Sequence, residues 1–155
     1  MKIINQRLRT STQTAKHLIE NTWIDGVINC CNVFCNFNTD FGKKIGKILP
    51  EMSVKDSETE KGDRTKIGTF TYIRKTKSTL AIKDINFYGI NAYTYSDQKN
   101  TIFDYEGFEK ILTDLNEILR GKLVVFVIPD NAVYTKIVEV MKKSVQLYSV
   151  LITKE

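Results

Sequence analysis

Lys122 to Ile128, KLVVFVI, is apolar at every position after the lysine and stops at Pro129-Asp130-Asn131. A strand with one wet face alternates apolar and polar residues. A run without alternation belongs to a strand covered on both faces, as happens where helices pack above and below a parallel sheet. Gly26 to Val33, GVINCCNV, reads as a second buried strand. Both are therefore expected at the centre of the sheet. Between and around them the period changes. Phe108, Ile111, Leu112, Leu115, Ile118 and Leu119 recur at helical spacing, which predicts a helix from Asp104 with Gly121 as its C-terminal stop.

The remaining elements fall into place around these. Lys2 to Asn5 reads as a short strand, Ala15 to Asn21 as a helix, and Phe41 to Leu49 as a basic helix stopped by Pro50. Gly68 to Arg74 and Ile85 to Tyr95 supply two or three strands. After KLVVFVI, Asp130 or Asn131 is placed to cap a helix whose apolar stripe is Val133, Ile137, Val140 and Met141, and Gln146 to Thr153 closes as a strand. Strands alternating with helices predict a three-layer α/β domain with a parallel or mixed sheet. Ser53 to Lys66, SVKDSETEKGDRTK, has almost nothing apolar to bury and is expected to be a mobile surface loop.

At 155 residues the chain is long enough to bury a core without disulfides or metal. No apolar run approaches the length that crosses a bilayer, and the opening MKIINQRLRT lacks a signal peptide's apolar segment, so a cytosolic protein is expected. Cys30, Cys31 and Cys35 crowd into six positions inside and just after a strand, a spacing that suits reduced thiols rather than a disulfide framework. The formal charge of +5 favours anionic ligands. The lysines are scattered rather than interleaved with aromatics, which argues against a nucleic-acid groove.

Standard catalytic signatures are absent. There is no G-x-x-x-x-G-K-[ST] phosphate loop and no G-x-G-x-x-G fingerprint, and His17 is the lone histidine. The cysteines lack C-x-x-C spacing, so neither a metal nor a cofactor is expected. What the chain offers is amide and carboxylate density at strand ends: Asn29, Asn32, Asn36, Asn38 and Asp40, then Asn91, then Asp130 and Asn131. Converging on one crevice, these groups would supply donors and acceptors for sugar hydroxyls, and a crevice beyond strand carboxyl ends is where nucleotides sit in α/β sheets.

The stretch Val27 to Met52 resembles the signature of macro domains, the ADP-ribose-binding family. That signature is a strand ending in Asn-x-x-Asn, a glycine-rich loop, and a helix that often ends in a Phe-Pro-Glu-like sequence. Asn29 and Asn32 stand at the paired asparagines, Phe37-Asn38-Thr39-Asp40-Phe41 at the loop, and Leu49-Pro50-Glu51-Met52 at the helix end. Tyr88-Gly89-Ile90-Asn91-Ala92-Tyr93 is similar to the family's strand ending Ile-Asn-Leu-x-x-Gln, and Phe103-Asp104-Tyr105-Glu106-Gly107-Phe108 to its Tyr-Glu-Ala helix start. The resemblance implies a three-layer α/β/α fold with a mixed central sheet, formed by residues 1–155 as a single domain.

The resemblance further implies binding of ADP-ribose or a related nucleotide such as ADP-ribose 1″-phosphate, with hydrolysis as the enzymatic form of that function. Asn32 would hold the distal ribose and orient a water, and Asp40 would act as a base. Asn29, Asn38, Thr39, Phe41, Asn91, Ala92, Tyr93, Asp130 and Asn131 would line the ligand site. Departures accompany the matches. Asn38 and Asp40 replace the loop glycines, Pro129-Asp130-Asn131 replaces a second glycine-rich loop, and Asn5-Gln6-Arg7 stands where an aspartate would meet adenine. These leave a second reading, a diverged macro-fold protein that binds another nucleotide-like ligand or a protein partner.

Overall fold

A computed structural model describes residues 3–5, 11–20, 23–77 and 85–154. Its strands are β1 (Ile3–Asn5), β2 (Gly26–Asn32), β3 (Phe70–Lys77), β4 (Ile85–Tyr95), β5 (Leu123–Ile128) and β6 (Ser149–Lys154). Its helices are α1 (Ser11–Glu20), α2 (Asp40–Ile48), α3 (Pro50–Ser57), α4 (Tyr105–Ile118) and α5 (Tyr134–Ser144). The strands form one sheet in the order β1-β6-β5-β2-β4-β3, parallel throughout except where β3 runs antiparallel to β4. The two strands read as buried on both faces, β2 and β5, lie inside the sheet, as their two-sided burial requires.

Alternation along those two strands sorts the core. Ile28 and Cys30 of β2 and Val124, Phe126 and Ile128 of β5 pack with Phe108, Ile111, Leu112 and Leu115 of α4 and Ile137 and Met141 of α5. Val27, Val125 and Val127 face the other way, onto Leu18 of α1, Phe41 and Ile45 of α2 and Met52 of α3. The result is a mixed sheet between two helical layers, the α/β/α architecture expected from the order of elements. Among the described residues no helix is long and apolar enough to cross a membrane.

Several local expectations are corrected. Pro50 ends α2 and also begins α3, where its missing N–H costs nothing because a first-turn N–H has no intrahelical acceptor. Ser53–Lys66 is not a loop throughout: Ser53 to Ser57 completes α3, and Arg64–Lys66 makes a 3-10 turn capped by Asp63, which accepts from Thr65 N at 2.9 Å. The segment is anchored by polar rather than apolar burial. Lys66 donates to Thr59 Oγ1 at 2.8 Å and lies 5.1 Å over the Tyr93 ring, while Tyr93 donates to Asp56 Oδ1 at 2.6 Å. The cap of α5 is Val133, without a side-chain bond, rather than Asp130 or Asn131, and Val133 is exposed instead of joining the apolar stripe. The His17 side chain and residues Lys2, Gln6, Arg7 and Asn21 lie outside what the structure describes.

Gly26 opens β2 directly beside Tyr88 of β4. A Cβ there would stand 2.6 Å from the Tyr88 carbonyl oxygen, which is backbone and cannot swing away. Gly26→Ala is expected to cost about 1–3 kcal/mol, as over-packing does. Urea unfolding of the variant measures it, and a midpoint equal to that of the parent would refute the close approach.

Candidate functional site

The cleft originates in a divergence of strands. β2 and β5 pair only over Gly26–Ile28 and Val124–Phe126, whereas β2 stays paired with β4 along its whole length. The chain also reverses its direction of travel here, since β4 lies on one side of β2 and the next strand, β5, on the other. Beyond Ile28 and Phe126 the two strands therefore leave a gap at the carboxyl edge of the sheet, the place where open α/β sheets bind ligands. The gap is a cleft of about 220 Å³ lined by Asn29, Cys30, Asn38, Thr39, Asp40, Phe41, Tyr95, Lys99, Asn100, Val127, Ile128, Pro129, Asp130 and Asn131.

Three segments wall it. The first is the turn into α2: Thr39 caps the helix, its Oγ1 accepting from Gly42 N at 2.9 Å, and this holds Asp40 and Phe41 at the cleft. The second is the exit from β5, where Asn131 accepts from the Tyr95 hydroxyl at 2.6 Å. The third is a strap, residues 96–101, that follows β4. Asn131 donates to the carbonyls of Asn100 (2.6 Å) and Thr101 (2.9 Å), Asn32 donates to Asn100 Oδ1 (2.9 Å), and Asn38 donates to the Gln98 carbonyl. Asp97 closes the strap on itself, accepting from Thr101 N and Oγ1 at 3.0 and 2.5 Å. Asn100 sits at φ 53°, a left-handed conformation that asparagine tolerates better than most residues.

Of the residues singled out from sequence, Asn29, Asn38, Thr39, Asp40, Phe41, Asp130 and Asn131 come together at the cleft. Asn32 does not line it. The register between β2 and β4 shifts after Cys31, so Asn32 pairs with Tyr95. Its amide group is fully buried, donating to Asn36 Oδ1 (2.6 Å) and the strap and accepting from Phe34 N (2.9 Å). Asn91, Ala92 and Tyr93 lie within β4 rather than at its end. Asn91 donates to the Met52 carbonyl at 2.9 Å and to Thr71 Oγ1 at 3.0 Å, and Ala92 is buried in the core beneath α4. Tyr95, Lys99 and Asn100 were missed. Their signal was the polar run Ser96 to Asn100 immediately after an apolar strand, the pattern of a strand-end loop.

The chemistry on offer is that of hydrogen bonding and charge. Burial pushes the Cys30 thiol up to about 12, so it lines the cleft as a neutral thiol and not as a nucleophile. Burial likewise pushes Tyr95 well above its ordinary value, which keeps its hydroxyl a donor to Asn131. Asp40, Asp130 and Lys99 carry the charges of the cleft. Asn29 is almost fully buried at the cleft, its amide donating weakly to the Cys31 thiol at 3.5 Å and its Oδ1 lying beside Gly42 of α2. Among the described residues no group of three or more His, Cys, Asp or Glu is placed to hold a metal ion.

No family model and no curated protein matches the chain. Solved structures do. The macrodomain of Thermus aquaticus DarG superposes with a TM-score of 0.68 at 10% identity, over 99% of both chains. The macrodomain of Mycobacterium tuberculosis DarG gives 0.64 at 13%, over 99% of this chain and 98% of that one. Thermosipho africanus DarTG, solved in complex with ADP-ribose, gives 0.60 at 12%, over 86% of this chain and 39% of that one. Superposing over nearly its whole length on the two DarG macrodomains, the chain has the macrodomain fold.

Proposed function

We propose that the cleft between β2 and β5 binds ADP-ribose or a closely related ADP-ribosyl nucleotide. The observation that carries this reading is the place of the cleft: it opens at the carboxyl ends of the two central strands, its polar lining made of amides, two hydroxyls, two carboxylates and one lysine, in a fold shared with a protein solved in complex with ADP-ribose. In this assignment Asn29 hydrogen-bonds the ligand, Asn38 and Asn131 hold the strap against it, and Asn32 serves the strap from below. Asp40, exposed at the wall and without an ion pair among the described residues, is the base in the hydrolytic form of the function.

Titration calorimetry against ADP-ribose tests the reading, with AMP and ribose 5-phosphate as partial ligands. Asn29→Ala is expected to weaken ADP-ribose by about 1–3 kcal/mol, the usual consequence of leaving a polar partner unpaired, with the melting curve little changed. Under the hydrolytic form, Asp40→Ala abolishes turnover of an ADP-ribosylated substrate while binding is nearly kept. A folded parent protein that binds none of the three nucleotides overturns the proposal and leaves the second reading, another ligand or a protein partner.

A further inference from the structure

Outside the cleft, one amine and one thiol face each other. Lys66 is 8% exposed and, among the described residues, makes no ion pair. Its Nζ donates to Thr59 Oγ1 at 2.8 Å and to Cys35 Sγ at 3.7 Å, and it lies over the Tyr93 ring. A buried ammonium is ordinarily bonded to a carboxylate, so a thiol in that place calls for a reason. Cys35 is half-buried, whereas Cys30 and Cys31 are buried. Its backbone takes φ 58°, a left-handed conformation uncommon outside glycine and asparagine, with the sulfur held against the same two residues. Thr59 Oγ1, 3.5 Å from the sulfur and 2.8 Å from the nitrogen, touches both partners.

An oxidised thiol condenses with a neighbouring nitrogen to give a sulfenamide. We infer that Cys35 and Lys66 are a modification site at which a peroxide drives a sulfur–nitrogen cross-link, separate from the cleft and independent of what the cleft binds. Cys35 Sγ takes one oxygen from hydrogen peroxide and becomes a sulfenic acid, while the other oxygen leaves as water. Lys66 Nζ then bonds to the sulfur. The sulfenic hydroxyl departs as water with one ammonium proton, and a second ammonium proton passes to solvent. Sulfur is oxidised by two electrons and the peroxide is reduced by two. The flexible four-carbon stem of Lys66 lets the nitrogen close on the sulfur. The bond would join residues 31 positions apart, tying the turn after β2 to the 3-10 turn before β3.

The test is peptide mapping by mass spectrometry of the full chain after brief exposure to hydrogen peroxide and capping of the remaining thiols. A linked pair of peptides containing Cys35 and Lys66 is expected, lighter than the sum of the free thiol and amine peptides by two hydrogen atoms. Dithiothreitol should reverse it, because a thiol displaces the nitrogen from the sulfur. Cys35→Ser and Lys66→Arg should each abolish the pair, with thermal melting as the check that both variants are folded. The same exposure in urea should leave Cys35 oxidised but unlinked. Cys35 found capped as a free thiol, or carrying only added oxygens while Lys66 stays free, overturns the inference. So does a pair that forms equally well in urea, which would owe nothing to the fold.

Discussion

Phe108→Ala is expected to lower stability by about 3–5 kcal/mol, the range for deleting a buried aromatic ring. Phe108 is fully buried where α4 meets the sheet, its ring stacked 5.0 Å from Phe126 of β5 and edge-on to Phe103 at 5.2 Å. Phe103 in turn packs edge-on against Tyr95, which carries the hydrogen bond to Asn131. The ring thus joins one helical layer both to a central strand and to the aromatic floor of the cleft. Urea unfolding should show the midpoint falling with an unchanged slope, and thermal melting a drop of roughly 10 °C. Phe108→Leu, which refills most of the volume, should lose far less. A Phe108→Ala protein as stable as its parent would mean that α4 does not dock through this ring.

Lys66→Met is expected to cost about 1–3 kcal/mol, because it leaves Thr59 Oγ1 without its donor and takes a nearby positive charge away from the buried Asp56 carboxyl. Asp56 is buried, and its carboxyl is held above the ordinary carboxylate value by that burial, against the opposing pull of the Tyr93 hydroxyl and the Lys66 charge. A carboxyl raised in the folded state is better accommodated when protonated. Its contribution to stability is full below the unfolded value and is lost as pH rises through the folded one. Removing Lys66 raises the folded value further, so the deficit of the variant should be smaller near about pH 4 and grow toward about pH 7. Asp56→Asn introduced into Lys66→Met should recover part of the loss at the higher pH. A deficit independent of pH would show that Lys66 acts through its bond to Thr59 and its aliphatic stem alone.

The same two residues show where sequence reading reached its limit. KLVVFVI and the spacing of Phe108 through Leu119 declared themselves because the force that shapes them, apolar burial, is written in adjacent positions. Ser53 to Lys66 carries its order in Asp56 and Lys66, whose partners Tyr93, Cys35 and Thr59 are brought near by the fold, and a window with almost nothing apolar hides that. At the cleft the strand ends after β2 and β5 were legible from their Asn and Asp residues. The extent of β4, Ile85 to Tyr95, was legible too, but Asn91 was read as lying near its end, whereas the strand runs four residues past it. The role of Asn32 was hidden for a different reason: a one-residue shift in register turns its side chain to the strap, and nothing in the local composition announces the shift.

The strap is fastened by neutral amides drawn from three separate stretches of chain, Asn32, Asn38 and Asn131, and by Asp97, whose carboxyl its bonds to Thr101 hold below the ordinary value. None of these fastenings involves Asp40, Asp130 or Lys99. Contour and charge in the cleft are consequently separate inheritances: one set of side chains draws the outline, and another paints its electrostatics. Substitutions at the three charged positions can retune what the cleft accepts while its walls stay where they are, so ligand preference can drift within this scaffold without the fold having to follow.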